Sequence, residues 1–99
     1  MNQILNYSQK AKEEFKDAVE WYEEKGDGLG TDLEKDILDK VEMITKYPLR
    51  YPVRKGYYRQ TLIRRFPYLI VYRYNKMKHQ ITIASIFHTS RNPKKKYQK

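Results

Sequence analysis

The chain is predicted to fold as an α+β domain. An N-terminal strand and an antiparallel helix hairpin would pack on a small, mostly antiparallel sheet of about four or five strands. Three observations predict this. Residues 59–88 read RQTLIRRFPYLIVYRYNKMKHQITIASIFH, which is dense in Tyr, Ile and Val and broken by Pro67 and a polar turn; such residues fit a pleated, half-buried surface. Two earlier stretches repeat their apolar residues at helical rather than strand spacing. The whole has 99 residues, which suits one domain over 1–99 with a modest core and a basic tail at 89–99.

The elements follow in order. Gln3–Tyr7 is a short strand candidate. Ser8 is a natural N-cap, because its hydroxyl can satisfy an orphan backbone N–H. The first helix places Ala11, Phe15, Ala18, Val19 and Tyr22 on one stripe, with most of its acids off it. Trp21 lies partly off the stripe: it either anchors an interface or packs against the second helix or the sheet edge. Gly26 is expected to end the helix in a left-handed conformation. Gly26–Gly30 (GDGLG) lacks a preceding strand and the Lys-Ser/Thr of a phosphate loop, so it reads as a helix–helix turn.

The second helix starts near Leu29–Thr31, with Thr31 to Glu34 matching a capping box. Leu33, Ile37, Val41 and Ile44 form its buried stripe, and Leu38 flanks it. Tyr47-Pro48 stops it, since the residue before proline is pushed from the helical region. Leu49–Gly56 reads as an irregular loop. Tyr57–Phe66, Tyr68–Tyr74 and Gln80–His88 read as strands, the last entered by the turn Asn75–His79. A strict period of two would put Ile81, Ile83 and Phe87 on one face of the last strand and Ala84, Ile86 and His88 on the other. The helices can cover only one sheet face. The second would be a shallow, partly apolar surface edged by Arg and Tyr.

Charge is segregated along the chain. Residues 1–42 hold all twelve acids against six Lys, a balance of −6; residues 43–99 hold fifteen Lys or Arg and no acid, a balance of +15. This suggests a sheet side that meets a polyanion; a solvated basic surface is the plainer reading. With no Cys there is no disulfide and no thiolate metal site, which suits a cytoplasmic protein. No apolar run approaches the length of a membrane span, and the N-terminus does not read as a signal peptide. With two His and an acid-free second half, neither a zinc site nor a carboxylate-metal nuclease is expected there, and no cofactor motif is present.

Several short pieces, in order, resemble the RelE/ParE superfamily of bacterial toxins. They are Ala18–Tyr22 (AVEWY), the GLG turn at Gly28–Gly30, Ile44 with Pro48, Arg59 followed by Arg65-Phe-Pro-Tyr68 and Ile70-Val-Tyr72, and the closing His88-x-x-Arg91-x-Pro93. The family's closing segment often carries a Trp after the Pro, where Lys94–Lys96 and Tyr97 stand here. The resemblance implies a toxin neutralised by a cognate antitoxin in a hetero-oligomer. It allows two mechanisms. ParE-like members inhibit DNA gyrase, and the GLG turn and RFPY strand look more like that branch. RelE-like members are metal-free ribonucleases that cut mRNA on the ribosome.

A metal-free ribonuclease needs a base, an acid and cations for the phosphorane-like transition state. Under that reading His88 is the candidate base, with Arg65, Arg91 and Tyr97 completing the catalytic set. Lys55, Arg59, Arg64, Arg65 and Arg91 are the candidates for contact with target or phosphate. Each has a structural alternative: His88 as a strand-end residue, the arginines as braces or antitoxin contacts, and Tyr97 as packing. A third possibility is a basic nucleic-acid-binding module without toxicity.

Overall fold

The structure, a computed structural model, describes residues 3–90. The elements are β1 (Ile4–Tyr7), α1 (Gln9–Lys25), α2 (Leu29–Lys46), β2 (Val53–Lys55), β3 (Tyr58–Leu62), β4 (Tyr68–Asn75) and β5 (Gln80–His88). The strands form one sheet in the order β1-β5-β4-β3-β2. β1 runs parallel to β5, and the other pairs are antiparallel. The helix hairpin covers one face of this sheet.

The core lies between hairpin and sheet, where Leu33, Ile37, Val41 and Ile44 of α2 meet Ile70, Tyr72, Ile81, Ile83 and Ile86. All are at most 3% exposed. Each such aliphatic side chain contributes roughly 1.5–3 kcal/mol by leaving water. The α2 stripe is the one the helical spacing predicts. From α1, Ala11 and Ala18 are buried while Phe15, Val19 and Tyr22 pack at the margin.

The helix connection departs from expectation in two ways. Gly26 is extended, and the left-handed residue is Gly28 at φ 85°. Thr31 does not cap α2, because the helix already begins at Leu29 and Gly28 is its N-cap. Glu23 of α1 takes over: its carboxylate accepts the amides of Gly28 (3.0 Å) and Gly30 (2.9 Å). Those bonds, Gly28 first, hold the Glu23 carboxyl below its ordinary pKa. At Gly30 the helices meet so closely that a Cβ would lie 2.6 Å from the Val19 carbonyl oxygen.

The strand boundaries also differ. Val53–Lys55, expected as irregular, is a three-residue edge strand joined to β3 by a turn with Gly56 at φ 56°. The expected strand Tyr57–Phe66 stops at Leu62. Ile63 turns into the core at 5% exposure, and Pro67 has no N–H to continue a ladder.

A β-bulge changes the face assignment on β5. Val71 pairs with Ser85 and Tyr72 with Ile83, so Ala84 is the extra residue. Ile81, Ile83 and Ile86 therefore all join the core, whereas a strict alternation separates Ile86 from the others. Phe87 goes to the opposite phase, paired with Leu69. The start of α1 is keyed to this bulge. Ser8 accepts the Ala11 amide as N-cap (3.0 Å), and its hydroxyl donates to the Ala84 carbonyl (2.9 Å). Its own amide donates to Ile83 O at 2.9 Å.

Candidate functional site

His88 sits at the end of β5, directly opposite Tyr68 at the start of β4. The two rings meet edge to face at 5.1 Å. The strand end is tied down by the Thr89 amide, which donates to Pro67 O at 2.8 Å. Ser90 then folds back onto the imidazole, its amide donating to Nδ1 at 3.2 Å and its hydroxyl 2.7 Å from the same atom. An Nδ1 that accepts an amide fits the tautomer with its proton on Nε2.

Beside His88 lies a cleft of about 340 Å³ between α1 and the sheet. Its sheet side is Tyr68, Ile86, His88 and Ser90; its helix side is Glu14, Asp17, Ala18 and Trp21. The two carboxylates are the residues that sequence reasoning missed. Glu14 accepts the Ser85 hydroxyl (2.8 Å) and the Ile86 amide (3.0 Å), which satisfies backbone freed by the bulge. A small pair such as Ala84-Ser85 inside a strand was the only signal. Trp21 is 51% exposed. It stands edge-on to Tyr22 at 4.9 Å, with the Lys25 ammonium 4.7 Å from its ring centroid. It forms a wall of the cleft.

The sequence candidates are dispersed. Arg65 grips Asp36 of α2 with two bonds, Nε–Oδ2 at 3.0 Å and Nη2–Oδ1 at 2.9 Å. The Arg65 bonds hold the Asp36 carboxyl below its ordinary pKa and push the guanidinium up. Arg59 donates from Nη1 to Tyr51 O at 2.7 Å, fixing the loop before β2. Beside it, buried Tyr72 donates to Pro48 O at 2.6 Å, and burial pushes its phenol up to about 12. Arg64 lines a separate groove with Asp36, Asp39, Lys40 and Met43, and Lys55 lies exposed on β2. Arg91 and Tyr97 lie outside the described residues. Among the described residues, the cleft at His88 is lined by none of Lys55, Arg59, Arg64 and Arg65. No group of three His, Asp or Glu among them could hold a metal ion. Among the described residues, no helix is long and apolar enough to cross a membrane.

Two helices packed on a five-stranded sheet with one parallel edge strand are the architecture of the RelE/ParE fold. The family described as "ParE toxin of type II toxin-antitoxin system, parDE" matches residues 5–93. The chain therefore belongs to the ParE toxin family of type II toxin–antitoxin systems. Solved structures agree on the fold. A chain of the chromosomal ParDE toxin–antitoxin system from P. aeruginosa superposes with a TM-score of 0.76 at 17% identity, covering 89% of this chain and 97% of that one. The intact E. coli RelBE toxin–antitoxin complex gives 0.70 at 16% identity, with 90% and 99% covered. The isolated E. coli RelE toxin gives 0.68 at 16% identity, with 94% and 90% covered. Comparison with curated proteins finds no match.

Proposed function

We propose that this type II toxin acts as a ParE-like inhibitor of DNA gyrase, by binding rather than by chemistry, until a cognate antitoxin neutralises it. One observation supports the choice of mechanism: among the described residues, two of the cations that a ribonuclease would gather at His88 are bound elsewhere. Arg65 is held by Asp36 and Arg59 by the Tyr51 carbonyl. Glu14 and Asp17 occupy the cleft instead, and carboxylates there would repel a scissile phosphate. The match to the ParE family over residues 5–93 supports the same reading.

The antitoxin is expected to use the groove along β1, α1 and α2. Tyr7, Phe15, Val19 and Leu38 make its floor, and Lys12, Lys16, Glu20 and Glu34 stand on its rim. An amphipathic helix that folds on binding, with its apolar face on that floor, suits such a surface. Several of the similar structures are themselves toxin–antitoxin complexes, which supports a hetero-oligomer. Both candidate targets place the action in the cytoplasm.

The competing RelE-like reading rests on His88, whose Nδ1 is held by Ser90. Paired assays separate the two: gyrase supercoiling, and message integrity in a reconstituted translation reaction. Loss of supercoiling with intact message is the expected result. Ribosome-dependent cleavage that disappears in His88→Ala would replace this reading with the nuclease.

A further inference from the structure

At the opposite end of β5 from His88, the β4–β5 turn and the β2–β3 turn enclose a groove of about 510 Å³. Arg73, Lys76 and Lys78 supply three cations, and no acidic side chain lines it. Tyr57 forms one side, stacked on Tyr58 at 4.8 Å, with the Arg73 guanidinium 6.0 Å from its ring. Gln80 and Thr82 add neutral polar groups from β5. None of the three cations belongs to the segments that carry the family resemblance.

The turn that presents the lysines is fixed rather than loose. Asn75 Oδ1 accepts the Lys78 amide at 3.1 Å. Lys76 O accepts the His79 amide at 3.3 Å, and His79 O accepts the Ile4 amide from β1 at 2.7 Å. His79 closes the turn at φ 51°. A fixed backbone holds the origins of both lysine side chains on one side of the groove, so less chain freedom is lost on meeting an anion than in a loose loop.

We propose that this groove docks the phosphodiester backbone of a nucleic acid. The absence of opposing carboxylates gives a net attraction for a polyanion that the salt-bridged cations of α2 do not offer. The planar Arg73 fork, steadied beside Tyr57, matches phosphate oxygens. Such contacts give affinity and orientation without reading sequence. The inference is independent of whether gyrase or message is the target.

The test is fluorescence anisotropy of the full chain with a short labelled DNA duplex across a salt series. Removing one phosphate-binding cation lowers the slope of log affinity against log salt by about 0.9 on duplex DNA. Lys76→Ala/Lys78→Ala should weaken binding about tenfold at physiological salt and cut that slope by about two. Lys35→Ala/Lys46→Ala removes the same formal charge from α2 cations paired with Asp39 and Glu42, and should change both quantities little. Equal weakening in the two variants would reduce the effect to net charge and overturn the groove. Displacement of the duplex by poly-glutamate at matched charge would overturn it in favour of an acidic protein partner.

Discussion

β5 begins at Gln80 beside Arg73, Lys76 and Lys78, in a groove without an acid. It ends at His88 against Glu14 and Asp17, in a cleft whose helix side carries no cation among its lining residues. One strand thus joins two sites of opposite sign. Along the sequence the acids stop at Glu42 and the second half is wholly basic. The fold does not keep that division. α1 lies across β5 and returns two of the early carboxylates to the far end of the last strand. Linear charge blocks therefore overstate how uniform the folded surface is; among the described residues lining the two sites, the Gln80 end keeps the character that composition suggests.

The difference between the ends depends on how firmly α1 is seated. The largest effect should come from Gly30→Ala, because the added methyl would meet a backbone oxygen at 2.6 Å and not a side chain able to turn away. A loss of about 3 kcal/mol is expected from denaturant midpoints. A value near zero would mean that the helices slide apart freely and that Glu14 is not held in place by their packing.

Glu14→Ala should cost about 2 kcal/mol, since it leaves the Ile86 amide without its acceptor near the core. Backbone amide shifts should move at Ser85–His88 and stay fixed at Lys76–His79. Shifts spread over both ends of β5 would erase the distinction drawn between them.

Asp36 offers a smaller, pH-dependent test of the loop that leads into β4. Its folded carboxyl titrates below the ordinary value of 3.8. The pair with Arg65 is therefore stabilising above that value and is lost as pH falls through the lower, folded one. The melting-temperature gap between the wild type and Asp36→Asn should be present at neutral pH and close as pH falls below the ordinary carboxyl value and through the lower, folded one. Added salt should narrow it, because the Arg65 side of the pair is solvent-exposed. A gap that widens in acid contradicts the pairing.

The smallest change belongs to the basic end. His79→Gly relieves a left-handed residue and should gain under about 1 kcal/mol in thermal unfolding. The His88 resonances should not respond.

The helices and the two long strands were legible in the sequence because periodicity reports burial directly. Leu33, Ile37, Val41 and Ile44 are buried on the stripe their spacing gives, and Tyr68–Asn75 and Gln80–His88 match their apolar runs. β2 escaped because three residues carry no readable period. The bulge escaped because alternation assumes that no residue is extra, and Ala84 is. The cleft escaped for a different reason. Glu14 meets Ile86 across 72 positions, and no local pattern announces a carboxylate that accepts a backbone amide so far along the chain. Arg65 shows the reverse. Its type suggests a phosphate clamp, while its geometry is that of a brace on Asp36.

The parallel pairing of β1 with β5 also sets the order of events during synthesis. β1 has no other strand beside it, and Ser8 must wait for Ala84, 76 residues later. At translation rates of roughly 5–20 residues per second, that interval lasts about 4–15 s. During it the helix hairpin lacks the strand that carries Ile81, Ile83 and Ile86, so its apolar stripe can meet at most the Ile70 and Tyr72 part of the core. The cleft and the basic groove both border β5, and neither can exist on a nascent chain that lacks it. A ribosome making this toxin holds an incomplete molecule until the last strand has emerged.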